Sequence, residues 1–142
     1  GGEISGEVDI LHDLTLAVSG EYVYTYNLEA HTALSFSPPA SVRTNLSYHP
    51  GETRFYLEHE YIAAQNRIAR NEDPTPGAQL FNAGASFSIP WKKNKLEVTI
   101  SANNLFDTRY YNHLSFYRKI EIPEPGRNFQ LLIKIPFKTL LK

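Results

Sequence analysis

Leu14-Thr15-Leu16-Ala17-Val18-Ser19-Gly20-Glu21-Tyr22-Val23-Tyr24-Thr25-Tyr26-Asn27 repeats with a period of two. Its even positions carry Leu14, Leu16, Val18, Gly20, Tyr22, Tyr24 and Tyr26, and its odd positions are mostly Thr, Ser, Glu and Asn. Successive residues of a strand point to opposite faces, so this stretch predicts a long strand with one apolar and one polar side. A helix would need an apolar spacing near 3.6, which is absent.

Six further segments alternate in the same way, giving seven expected strands and no helix. Ile4, Gly6, Val8 and Ile10 oppose Glu3, Ser5, Glu7 and Asp9, while Val42, Thr44, Leu46 and Tyr48 oppose Arg43, Asn45, Ser47 and His49. Phe55, Leu57, His59, Tyr61 and Ala63 oppose Tyr56, Glu58, Glu60, Ile62 and Ala64. Phe81, Ala83, Ala85, Phe87 and Ile89 alternate with Asn82, Gly84, Ser86 and Ser88. Leu96, Val98, Ile100 and Ala102 alternate with Glu97, Thr99, Ser101 and Asn103. Last come Phe129, Leu131, Ile133, Ile135 and Phe137, against Asn128, Gln130, Leu132 and Lys134.

Short connections at 11–13, 50–52 and 90–94 alternate with long ones at 28–40, 67–78 and 108–126. Short turns on one rim and long loops on the other are the plan of an outer-membrane barrel. Water-soluble antiparallel sheets share the dyad pattern, but two features favour a membrane. Several segments approach the roughly nine to eleven residues that a tilted strand needs to cross a bilayer. Tyr22, Tyr24, Tyr26, Tyr48, Tyr61 and Trp91 gather near strand ends, where interfacial girdles form. The polar face, with Glu3, Glu7, Asp9, Arg43, Glu58, Glu60, Glu97 and Lys134, then belongs to a wet or plugged lumen, because a dry core holds few charges. His59 is the misfit on the apolar face.

The 142 residues include nine Tyr, eight Phe, no Cys and a net charge of -1. Near-neutrality gives no footprint for nucleic acid, and no apolar run is long enough for a transmembrane helix. Gly1-Gly2-Glu3-Ile4-Ser5-Gly6 does not read as a signal peptide, so the amino-terminal part of an exported protein is expected upstream.

Asn103-Asn104-Leu105-Phe106-Asp107-Thr108-Arg109-Tyr110-Tyr111, followed by Pro125-Gly126-Arg127-Asn128-Phe129, resembles the carboxy-terminal signature of TonB-dependent outer-membrane receptors. In that family an NLFD-x-x-Y segment closes the penultimate strand, and a PGR segment opens the last strand, which ends in an aromatic. Here Asn104, Leu105, Phe106, Asp107 and Tyr110 match the first, Pro125, Gly126 and Arg127 the second, and Phe137 the terminal aromatic. Glu3-Ile4-Ser5-Gly6-Glu7-Val8, Leu34-Ser35-Phe36-Ser37-Pro38-Pro39 and Asn71-Glu72-Asp73-Pro74-Thr75-Pro76-Gly77 are similar to other family segments. Lys138-Thr139-Leu140-Leu141-Lys142 beyond Phe137 departs from the pattern, which puts in doubt whether Phe137 is the terminal assembly signal. Physically, Pro125-Gly126 reads as a tight turn with glycine free to take positive φ. Asn104 reads as a bulge or the end of pairing, and strand parity places Arg127 outward near the outer boundary.

The resemblance implies an all-β fold, with residues 1–142 forming the last seven or so strands of a barrel of about twenty-two. The plug domain and earlier strands would lie outside the chain. It implies TonB-coupled uptake of a scarce ligand across the outer membrane of a Gram-negative bacterium, an iron chelate (siderophore) or other metal complex. Partners would be that ligand, outer-membrane lipid and, through the absent amino-terminal region, the TonB complex.

Ligand contacts are expected in the long loops. The first carries Glu29 and His31, the second Arg67, Arg70, Glu72 and Asp73, the third Arg109, Tyr110, Tyr111, His113, Tyr117, Arg118 and Lys119. His31, Arg67, Arg70, Tyr110, Tyr111, His113, Tyr117 and Arg118 are the leading candidates, since guanidinium forks and phenols suit an anionic chelate. The alternative for each is a solvated loop side chain. No HxxxH or CxxC supports a metal site within the chain, no cofactor is implied, and no G-x-S-x-G or P-loop supports an enzyme. Two other readings remain: a small stand-alone outer-membrane barrel with an eighth strand hidden in 28–40 or 118–124, and a soluble β-barrel or sandwich that binds a ligand inside.

Overall fold

The computed structural model describes residues 1–91 and 94–136. Among these, seven strands form one antiparallel sheet in sequence order: β1 (Gly2–Leu11), β2 (Leu14–Tyr22), β3 (Ser41–Tyr48), β4 (Arg54–Ile62), β5 (Ala78–Trp91), β6 (Asn94–Asn103) and β7 (Asn128–Lys134). The register carries each face unbroken across the sheet. Val8, Leu16, Leu46, Leu57, Ala83, Ala102 and Phe129 form one continuous cross-strand row. One residue along each strand, Asp9, Thr15, Ser47, Tyr56, Gly84, Ser101 and Gln130 form the row behind it. A slip of one residue in any pair would turn an apolar set onto the polar face, so the pattern fixes the register.

In the described strands, the apolar face carries no Asp, Glu, Lys or Arg. It is also bare: Ile4 is 77% exposed, Phe129 73% and Ile100 51%, and no described element lies over them. Only Ala33 and Leu80 are buried apolar residues among those described, so the sheet has no water-excluding core of its own. A contiguous apolar surface this large needs an apolar covering.

The opposite face is a polar lattice. Arg43 pairs with Glu60 at 2.8 Å and Glu58 at 3.9 Å, and Asn82 donates to Glu58 at 2.9 Å. Thr15 donates to Asp9 at 2.7 Å, Ser86 and Thr99 lie 3.0 Å apart, and Lys134 reaches Glu97 at 3.3 Å. Gly84 sits in this lattice because the Tyr56 ring occupies the space of a side chain, 2.5 Å from where its Cβ would stand.

His59, which looked misplaced, pairs with Thr44 and Phe81 one step in from the outermost row of Val42, Tyr61 and Gln79. Its ring stacks on Phe81 at 4.6 Å and its Nε2 lies 3.3 Å from Gln79. At the other end Tyr48 stacks on Phe55 at 6.4 Å, and Phe87 meets Phe55 edge-on at 6.0 Å.

Several expected boundaries move. The strand expected over 14–27 stops at Tyr22, because β1 pairs from Gly2 opposite Tyr22 and β3 from Ser41 opposite Glu21, which leaves 23–26 without a ladder. Pro90 belongs to β5 opposite Lys95 rather than to the turn. Gly51, at φ 65, is the residue that needs a positive angle, in the turn closed by Thr53 N–H to the Pro50 carbonyl at 3.3 Å. The stretches 28–40 and 118–124 hold no hidden strand, and a short 3-10 helix, Phe116–Ile120, lies where no helix was expected. Phe137 and Lys138 to Lys142 lie outside the described residues.

Candidate functional site

The long connections, L1 (23–40), L2 (63–77) and L3 (104–127), emerge from one rim and pack together. L3 is anchored at both ends by the two signature segments. Asn104 ends β6 in the left-handed region, at φ 49, a conformation that Asn tolerates better than most side chains. Its backbone N–H donates to Asn82 Oδ1 at 2.9 Å, its own Oδ1 accepts from Thr108 N–H at 2.8 Å, and its Nδ2 donates to the Thr108 carbonyl at 2.9 Å. Leu105 N–H donates to the Phe81 carbonyl at 2.8 Å, and the Phe106 ring meets Phe81 edge-on at 5.1 Å on the outward face.

Asp107, also at positive φ, reaches the other segment: its Oδ1 accepts from Arg127 N–H at 2.8 Å. Gly126 does not take the positive φ expected of it. It is glycine because a Cβ there would come within 2.5 Å of Asp107 Oδ1. The signature is thus a structural clasp between β6 and β7. Replacing Asp107 with alanine is expected to cost about 1 kcal/mol, a capping-sized loss at an exposed site. Asn at this position should restore most of it, as read by urea unfolding of the intact protein in detergent.

Farther out, one carboxylate ties all three loops. Glu72 of L2 is buried, its side chain 3% exposed. Its Oε1 accepts from Phe36 N–H of L1 at 3.0 Å and from Arg118 Nη2 of L3 at 2.7 Å, and its Oε2 accepts from Ala69 N–H at 3.2 Å. Arg118 also donates to the His113 and Asp73 carbonyls at 2.9 and 3.0 Å. His113, the most buried side chain described, places Nδ1 2.8 Å from Thr75 Oγ1 and Nε2 3.4 Å from Glu72 Oε1. Phe36 is held at φ 56, a strained conformation for a bulky residue, with its ring stacked on Phe116 at 5.4 Å.

Electrostatics follow the burial. Burial alone would raise the Glu72 carboxyl, but the N–H groups of Phe36 and Ala69, with His113 and Arg118, outweigh it and hold it below its ordinary value. Burial, helped by Arg118 and only partly opposed by Glu72, holds the His113 imidazole below its ordinary value.

Beneath the clamp, against the polar face, lies a cavity of about 270 Å³ lined by Glu21, Glu60, Glu124, Tyr110, Tyr111 and His113 among others, with no Lys or Arg. Burial, with Glu124 and Glu60 nearby, pushes the Tyr110 phenol above its ordinary value. Above it, between L2 and L3, a cleft of about 480 Å³ is lined by Arg109, Arg118, Lys119 and Tyr111 together with Asp73 and Glu121. Arg109 donates to the Tyr111 hydroxyl at 2.9 Å.

The structure thus brings Tyr110, Tyr111, His113 and Arg118 together, and leaves the other candidates apart. His31 is exposed at φ 53, 3.3 Å from the Tyr26 hydroxyl. Arg67 lies over the Tyr24 ring at 3.6 Å and donates to the Thr25 carbonyl, between L1 and L2. Arg70 and Tyr117 are exposed. Glu72, noted in the sequence only as one loop acid, is the centre, and Phe36, Gln65 and Thr75 were missed. Gln65 donates to the Ser37 carbonyl at 2.8 Å and bridges Thr75 through the backbone. Residues this far apart in sequence give no local signal of contact.

No protein-family model matches the sequence. Among solved structures, the chain is similar to the copper transporter OprC, with 27% identity and a TM-score of 0.83, over 91% of this chain and 22% of that one. The sheet is therefore built as a segment of that transporter is built, and it spans about a fifth of that transporter's length.

Proposed function

We propose that the chain is the carboxy-terminal wall of an outer-membrane active-transport receptor that takes up a metal complex with energy from a TonB complex. The observation that carries this reading is the pairing of a bare, charge-free apolar face with a polar lattice across all seven strands. Lipid is the covering that suits the first and a lumen the second. The likeness to a copper transporter supports a transport role and a metal-containing ligand.

Within this segment the donor set is hard. There is no Cys or Met, so phenolate, carboxylate and imidazole are what the wall offers, a set that suits ferric chelates better than a soft cuprous ion. Arg109 and Lys119 of the cleft suit the anionic periphery of such a chelate. In cells carrying the intact protein, radiolabelled ferric chelates and copper are expected to separate the two ligand classes. Uptake that stops on addition of a protonophore or on loss of TonB supports the proposal. Accumulation of neither label, or uptake indifferent to energy supply, overturns it.

A further inference from the structure

We propose that Glu72, His113 and Arg118 form an acid-released latch that makes the three outer loops one mechanical unit. The reading goes beyond transport and holds for any ligand. A single carboxylate receives hydrogen bonds from L1, L2 and L3 at 3.0, 3.2 and 2.7 Å. All three side chains are nearly solvent-free, at 3%, 1% and 5% exposure. An added proton therefore lands where bulk water screens it poorly.

The groups facing the latch define what that proton meets. His113 sees Glu72 and Thr75 of L2 and Arg118 of L3, and it lines the cavity shared with Glu21 of β2, Glu60 of β4 and Tyr110, Tyr111 and Glu124 of L3. Glu72 sees Arg118 and the amides of Phe36 and Ala69, with Lys119 lying over the Phe36 ring at 5.3 Å. Protonating His113 puts a second cation beside Arg118, and Glu72 is the carboxylate that both of them touch.

The sign follows from linkage. His113 is depressed in the folded loops, so the opened loops bind more protons below its ordinary value of 6.5. The latch's contribution is present above that value and is lost as pH falls through the depressed one. Glu72 is depressed too, so a second loss starts below its ordinary 4.5.

Hydrogen exchange of the intact protein in micelles reads the latch at its own amides. Between about pH 8 and about pH 5, protection of Phe36 and Ala69, corrected for intrinsic rates, is expected to fall, by at most about tenfold for each pH unit below the ordinary histidine value of 6.5. Ala63 N–H, bonded to the Ala40 carbonyl at 2.9 Å outside the latch, should hold its protection. His113→Gln should abolish the fall in this window. Glu72→Leu, which removes both acceptor oxygens, should leave both amides weakly protected at either pH. Constant protection in the wild-type protein overturns the latch, as does an equal fall in His113→Gln or an equal fall at Ala63.

Discussion

Arginine in place of Val98 is expected to destabilise the folded protein in a bilayer by about 2–4 kcal/mol, the cost of a cation on the lipid face near mid-membrane. The same change at adjacent Thr99 should cost little. Val98 pairs with Phe87 and Ile133 on the apolar face, whereas Thr99 pairs with Ser86 and Leu132 on the face that carries Glu97 and Lys134. The two residues share a strand and a depth and differ only in the side they present. A soluble sandwich would also resist arginine at Val98, but it would do so in water. Denaturant unfolding of the intact protein in lipid vesicles separates the readings, because the penalty should weaken as the substitution moves along β6 from Val98 towards the interface at Ala102.

The second large effect concerns the loops. Glu72→Leu leaves the Arg118 guanidinium buried without its carboxylate and the Phe36 and Ala69 amides without an acceptor. Breaking a buried pair from one side costs about 3–5 kcal/mol, which shifts the open population of the loops by about two to three and a half decades. Trypsin cleavage after the exposed Arg70 reports that population when closing outpaces cutting. It should accelerate by the same factor while the barrel's own unfolding midpoint stays in place. Asp73→Asn is the matched control, since Asp73 contributes its backbone carbonyl to the cluster, at 3.0 Å from Arg118.

The sheet was legible because its rule is local and repeated. Alternation at Leu14 to Tyr22 specifies a strand, a face and a register with its neighbours, and the rows from Val8 to Phe129 confirm it across seven strands. Where a strand ends was less legible, because that depends on the partner: Tyr24 and Tyr26 continue the pattern of β2 but have no ladder. The role of Gly126 was misread for a related reason. Its sequence neighbour Pro125 suggested a turn with positive φ, whereas the constraint comes from Asp107, distant in sequence and close in space. The clamp was out of reach altogether. Glu72, His113 and Arg118 are ordinary loop residues in sequence, and the strained φ of Phe36 contradicts its residue type. His113 and Arg118 were picked out as ligand contacts, and the structure shows them buried and holding the loops together.

The central claim is that the even-numbered face of β6 meets lipid and the odd-numbered face does not. Nitroxide labels placed singly from Leu96 to Ala102 in the intact protein, reconstituted in bilayers, test it through their accessibility to oxygen and to a water-soluble relaxation agent. Oxygen accessibility is expected to peak at Leu96, Val98, Ile100 and Ala102 and to dip at Glu97, Thr99 and Ser101. A profile without the period of two, or one with its maxima at the odd positions, would contradict the account.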